Sequence, residues 1–204
     1  MKFRLTYEGT VKSSGNKSQP VNKQELRLEF HEQLKTLWGL NPYLSKLSQA
    51  ECDSLEQAVG GGLMHLPLGN APPKPSFSDR LINKYNQHDV NWHPLVSEDT
   101  KSVCEINILI LRPNDTKSIL KGGDLDGRLQ TIFDALSTPQ NGKVLDKFPN
   151  PPKPFYTLLS DDSLISKVTV DTDELLNRKS QNGQNYAHLI IEVDTKERPS
   201  KGIH

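Results

Sequence analysis

Apolar and polar residues alternate from the first positions of the chain. Phe3, Leu5, Tyr7 and Val11 interleave with Arg4, Thr6 and Glu8, and this period of two predicts a strand over 2–11. A polar loop rich in Ser, Asn and Lys follows over 13–22. Leu26, Phe30, Leu34 and Leu37 then recur at helical spacing, which predicts a helix from about Lys23 to Trp38. The next strong signal is Ile106, Ile108, Leu109, Ile110 and Leu111, a run dense enough for a buried central strand over 103–111, stopped by Arg112-Pro113-Asn114. After a Lys-Gly-Gly turn, Leu125, Leu129, Ile132, Phe133 and Leu136 form an amphipathic stripe. It predicts a helix opening near Asp124 with Leu125 turned into the core. Leu164, Ser166, Val168 and Val170 alternate against Ile165, Lys167 and Thr169 as a strand, and Tyr186 to Val193 reads as a last strand.

Two stretches lack this clarity. Residues 39–100 show little periodicity beyond a short helix over 48–59, ending at Gly60-Gly61-Gly62, and a brief one over 78–85. Residues 137–160 carry prolines at 139, 149, 151, 152 and 154. Both are read as insertions packed on the core. The order β-α-(insert)-β-α-(insert)-β-β predicts an α+β fold: one small, mixed four-stranded sheet with two main helices on one face. A single domain is expected over 1–194, with a polar tail over 195–204.

Composition changes the picture little. Hydrophobic residues make up 34% and mean hydropathy is -0.61, which one core carrying long polar insertions explains. Lys+Arg and Asp+Glu balance at 25 each, but residues 1–50 hold eight basic against four acidic residues, a basic end that suits phosphate or plain solvent. Cys52 and Cys104 suggest no disulfide framework. The start, Met1-Lys2-Phe3-Arg4, is not that of a signal peptide, and no apolar run approaches membrane length. A soluble, cytoplasmic protein with no membrane partner is expected. His88 and His93 flank Trp92 without the closed ligand set that zinc requires.

Candidate chemistry gathers on aspartates. In Gly122-Gly123-Asp124-Leu125-Asp126-Gly127-Arg128, Asp124 and Asp126 fall in the first helical turn, off the apolar stripe. Asp161-Asp162 precedes a strand. Carboxylates from two elements suit a hard divalent cation such as Mg²⁺. The same residues also suit a helix cap and the helix dipole, so spacing alone leaves both readings open. Lys121 and Arg128 flank the motif as candidate phosphate contacts, and Lys12, Lys17 and Lys23 could track a nucleic-acid backbone.

Gly123-Asp124-Leu125-Asp126, Phe133-Asp134-Ala135-Leu136 and Asp161-Asp162 before an alternating strand resemble the RusA family of Holliday junction resolvases, small metal-dependent endonucleases of bacteria and phages. That family opens a helix with D-L-D-N, places D-A-L ten residues after the first Asp and carries a later D-D pair; the spacing from Asp124 to Asp134 is kept. The resemblance covers roughly residues 1–38, 103–136 and 160–194. It implies a RusA-like fold and a bacterial or phage-encoded enzyme of recombination or repair, working as a homodimer on branched DNA. It assigns Asp124, Asp126 and Asp162 as catalytic ligands of Mg²⁺ or Mn²⁺, with Asp161 taking the last place if the register slips by one. Gly127 stands where the family has Asn, and Gln130 where it has a helix lysine. The alternative is a non-catalytic relative that binds nucleic acid or a protein partner.

Overall fold

In the computed structural model, residues 1–14, 19–50, 74–113, 125–139, 150–176 and 185–198 are described. The elements are β1 (Lys2–Thr10), α1 (Gln19–Leu40), α2 (Pro42–Gln49), α3 (Phe77–Lys84), β2 (Asn86–Gln87), β3 (Val90–Val96), β4 (Ser102–Pro113), α4 (Leu125–Leu136), β5 (Phe155–Leu159), β6 (Ile165–Leu175) and β7 (Tyr186–Glu197). A 3₁₀ turn over Asp162–Leu164 precedes β6.

The main sheet has the order β1-β7-β4-β6. β7 lies antiparallel to both β1 and β4, and β4 lies parallel to β6. Alternation makes one face apolar: Leu5, Cys104, Ile106, Ile108, Ile110, Ala187, Leu189, Ile191 and Val193 are each at most 2% exposed. Leu26, Phe30 and Leu34 of α1 and Ile132 and Leu136 of α4 join the same cluster, so both helices cover that face. The mixed sheet and the two main helices expected from the sequence are therefore present.

The regions read as insertions contain more order than their sequences suggest. β3 from the first pairs in parallel with β5 from the second, and β2 completes a separate three-stranded sheet. Trp92, Phe155 and Val90 form its own small core. The link between β2 and β3 is a two-residue turn in which His88 and Asp89 both take positive φ, 55° and 62°, the backbone that a tight hairpin turn requires. Pro94 sits within β3 opposite Thr157, at a point where β2 no longer pairs, so its missing N–H leaves no ladder bond unmade. α3 matches the brief helix expected there and begins with a Ser76–Asp79 capping box. The expected helix over 48–59 lies mostly outside the described residues; α2, before it, is capped by the Asn41 side chain.

Element ends also differ. β7 runs to Glu197 rather than stopping at Val193, because Thr195 donates its N–H to Met1 O at 2.8 Å and Arg198 donates to Lys101 O at 2.8 Å. The polar tail expected from 195 is thus strand at its start. β6 continues to Leu175 through residues whose polarity reads as a turn. No described helix is long and apolar enough to cross a membrane.

Candidate metal and nucleic-acid site

α4 carries the second half of the Asp-Leu-Asp motif, and its orientation differs from the expected one. Gly127, Arg128, Thr131, Ile132, Ala135 and Leu136 are its buried residues, whereas Leu125 is 40% exposed. Leu125 shares the helical face of Ile132 and Leu136, seven and eleven residues on, but stands at the first position of the helix, where it is exposed. Arg128 takes the inward position, 7% exposed, and donates from Nη2 to Asn185 Oδ1 at 2.9 Å. It is a structural tie rather than an exposed phosphate contact. Asp126 is exposed in the first turn.

A polar network fixes this end of α4. Ser14 N–H donates to Gly127 O at 3.0 Å, and the Thr131 hydroxyl reaches Lys12 O at 2.8 Å. The side chain of Asn22 at the start of α1 accepts from Lys12 N–H at 2.9 Å and donates to Thr10 O at 2.6 Å. Val11 N–H donates to Asn185 O at 2.8 Å. The segment after β1, the start of α1, the start of α4 and the start of β7 therefore meet at one end of the sheet. Lys12 belongs to this end. Described residues flanking segments 15–18, 114–124 and 177–184 also lie here, and those segments contain Lys17, Lys121 with Asp124, and Arg178 with Lys179. Lys17, Lys121 and Asp124 themselves lie outside the described residues.

At the other end of α4, Asp134 accepts from the Lys23 ammonium through Oδ2, and its backbone carbonyl accepts from Arg27 Nη2. Arg27 is 2% exposed and donates from Nη1 to Gln24 Oε1 at 2.9 Å. Burial pushes its pKa down to about 10, while the Asp134 carboxylate acts in the opposite sense. Asp134, Lys23 and Arg27 thus clamp α1 to α4. Lys23 is half-buried and paired, so tracking a DNA backbone would require it to give up Asp134. Lys23 and Arg27 stand four residues apart on one face of α1, the one sequence signal that hinted at a shared target.

Asp161 and Asp162 lie elsewhere. β6 runs parallel to β4 with Ile165 opposite Cys104, which places the pair at the end of the sheet where β4 begins. Ser160 N–H donates to Val96 O at 2.9 Å, anchoring the pair beside the second sheet. Asp161 caps the 3₁₀ turn by accepting from Ser163 N–H at 2.9 Å, and hydrogen bonding from Ser163 holds its carboxyl below the usual range. Asp162 is exposed. α4 starts where β4 ends and returns to pair Ser137 with Leu159. Roughly 16 Å of helix therefore separates Asp126 from Ser137, before the chain reaches Asp161. A cation holds its oxygen ligands within about 2.6 Å. Asp126 therefore does not share a cation with Asp161 or Asp162 of its own chain. Among the described residues no group of three or more His, Cys, Asp or Glu side chains is placed to hold a metal ion.

Of the two histidines set aside in the sequence, His88 is exposed in the β2–β3 turn and His93 is a core residue. His93 is fully buried, with Ser78 Oγ 2.8 Å from its Nε2 and Trp38 and Tyr156 against its ring. Burial pushes its pKa down to about 4. His31 accepts the Tyr156 N–H at Nδ1, 2.9 Å, and packs on Phe155. Compared with known proteins, the chain matches no family model, no curated protein and no solved structure.

Proposed function

We propose that this chain is a divalent-metal-dependent, structure-selective endonuclease of RusA type that acts on Holliday junctions or other branched DNA. The observation that carries the reading is the exposed position of Asp126 in the first turn of α4, at the end of the sheet that also bears Lys12. Asp124 directly precedes Leu125-Asp126 in the sequence; Asp124, Lys17 and Lys121 lie outside the described residues and rest on the sequence alone. Asp124 and Asp126 are the carboxylates assigned to Mg²⁺ or Mn²⁺. Asp161 and Asp162 do not complete that set within one chain, so their part in it requires a second copy. Bound at such a centre, the cation would supply charge for phosphodiester hydrolysis. The protein's own residues would position the backbone phosphates, an interaction that weakens as salt rises.

Two observations favour a second reading, branched-DNA binding without cleavage. One is the separation of Asp126 from Asp162. The other is Gln130, exposed one turn beyond Asp126, where a neutral amide would stabilise developing negative charge less than a lysine. A synthetic four-way junction separates the readings. Nicking that needs Mg²⁺ or Mn²⁺ and falls about 100-fold in Asp126→Asn, about 2.7 kcal/mol of barrier, supports the enzyme. Salt-sensitive binding that persists in EDTA, with no nicking under any metal, supports the binder.

A further inference from the structure

The inward face of the main sheet changes character at the end where β4 begins and β7 finishes. Ile106 and Cys104 of β4 and Ile191 and Val193 of β7 are fully buried. Beyond them the same face carries Ser102, Thr195 and Glu197, with Cys104 opposite Thr195 and Ser102 opposite Glu197. Polar side chains thus stand where the pattern further in places isoleucine and valine. α2 covers this end through Leu44, 3% exposed, and Leu47. A pocket of about 180 Å³ remains between helix and sheet. Leu44, Leu47 and Leu95 make its apolar side, and Ser102, Thr195 and Glu197 its polar side. Tyr43, 70% exposed, and Glu197, also exposed, mark its mouth.

The charges around this pocket are unequal. The Met1 ammonium is already engaged: it donates to Thr195 O at 2.7 Å and lies 3.8 Å from Asp194 Oδ1. The hydroxyls are engaged as well, with Thr100 Oγ1 2.6 Å from Ser102 Oγ and the Thr195 hydroxyl donating to Met1 O at 3.3 Å. The cations beside Glu197 are taken by other acids: Lys196 pairs with Glu105 at 2.6 Å and Arg198 with Glu98 at 3.6 Å. Among the described residues no cation is paired with Glu197.

We infer that this pocket binds a small organic amine, its apolar body against Leu44, Leu47 and Leu95 and its ammonium at Glu197. Size sets the body: a dry cavity of about 150 Å³ holds benzene, so one ring or a short chain fits here. Charge sets the head group, because a carboxylate would meet Glu197 with like charge, whereas the Tyr43 ring also attracts a cation. The pocket lies at the opposite end of the sheet from the start of α4, so binding there is independent of any nuclease activity.

Amide chemical shifts of the full, isotope-labelled chain titrated with phenethylamine test it. Saturable shifts at α2 and at the adjoining ends of β4 and β7 are expected, with a dissociation constant on the order of millimolar. Phenethyl alcohol, which keeps the body and lacks the charge, should bind roughly fivefold more weakly, as should the amine to Glu197→Gln. That exposed substitution should leave the affinity for the alcohol unchanged. Leu47→Trp, which fills the pocket, should abolish the shifts in a folded variant. Absence of a saturable shift in the wild type overturns the inference, as happens if the chain itself or a second copy occupies the pocket. Phenylpropionate binding as tightly as the amine overturns it too, as does an amine affinity untouched by Glu197→Gln or by a folded Leu47→Trp.

Discussion

Asp126 and Asp134 lie on the same helix, eight residues apart, in the two halves of one motif, yet they are placed for different work. Asp126 is exposed at the end of the sheet where the segment after β1 and the starts of α1, α4 and β7 converge. Asp134 is held between Lys23 and Arg27 and fixes the crossing of α1 over α4. Residue type and spacing are equal for both; the difference comes from what the neighbouring helix presents. Both ends of α4 are tied to their neighbours, but only at the start is a carboxylate, that of Asp126, left exposed.

The sharpest way to break this contrast is through Arg27. Arg27→Ala removes a buried side chain and leaves Gln24 Oε1 and Asp134 O without their donor, and is expected to destabilise by about 3–4 kcal/mol in urea or guanidinium unfolding. A cost near zero would mean that the clamp does not hold α1 to α4. The clamp end adjoins the second sheet, where acid should act next most strongly. His93 is neutral in the fold, with a pKa near 4 against an ordinary value of 6.5, so the unfolded chain binds the extra proton between those values. Stability should be full above about pH 6.5 and decline as pH falls toward 4, by about 3 kcal/mol at the limit. A flat stability profile across that window contradicts the buried neutral ring. Asp134→Asn comes third, at roughly 1 kcal/mol, because Lys23 keeps a hydrogen-bond acceptor but loses the opposite charge. Asp126→Asn should change stability by less than about 0.5 kcal/mol. Equal costs at positions 126 and 134 would erase the distinction between the two ends.

Much of the main sheet was legible because its pattern is local. The alternation of β1, the apolar run of β4 and the stripe Leu26-Phe30-Leu34 each record one buried face: Leu5, Ile106, Ile108, Ile110, Leu26, Phe30 and Leu34 are buried, while Phe3, Tyr7, Leu109 and Leu111 are half-buried. The second sheet left little trace. β5 has five residues, its partner β3 lies some sixty residues earlier, and Pro94 reads as a strand breaker until the unpaired edge beside it is seen. Leu125 misled the reading of α4 because an apolar residue in a first helical turn can project past the core, while Arg128, polar by type, went inward and found Asn185. The aspartate cluster carried a topological lesson. In a strand–helix–strand crossover between parallel strands, the helix starts at one end of the sheet and the second strand starts at the other. β4, α4 and β6 obey this rule, so Asp126 and Asp162 separate although each opens an element, as the sequence indicated.

The most direct test of the α4 start as the functional end is cleavage of a synthetic four-way DNA junction in Mg²⁺ or Mn²⁺ by wild type and Asp126→Asn. Metal-dependent nicking by the wild type, lost in a variant that folds as stably, is the expected result. A folded wild type that leaves the junction intact in both metals, or an Asp126→Asn variant that cuts as well as wild type, contradicts it.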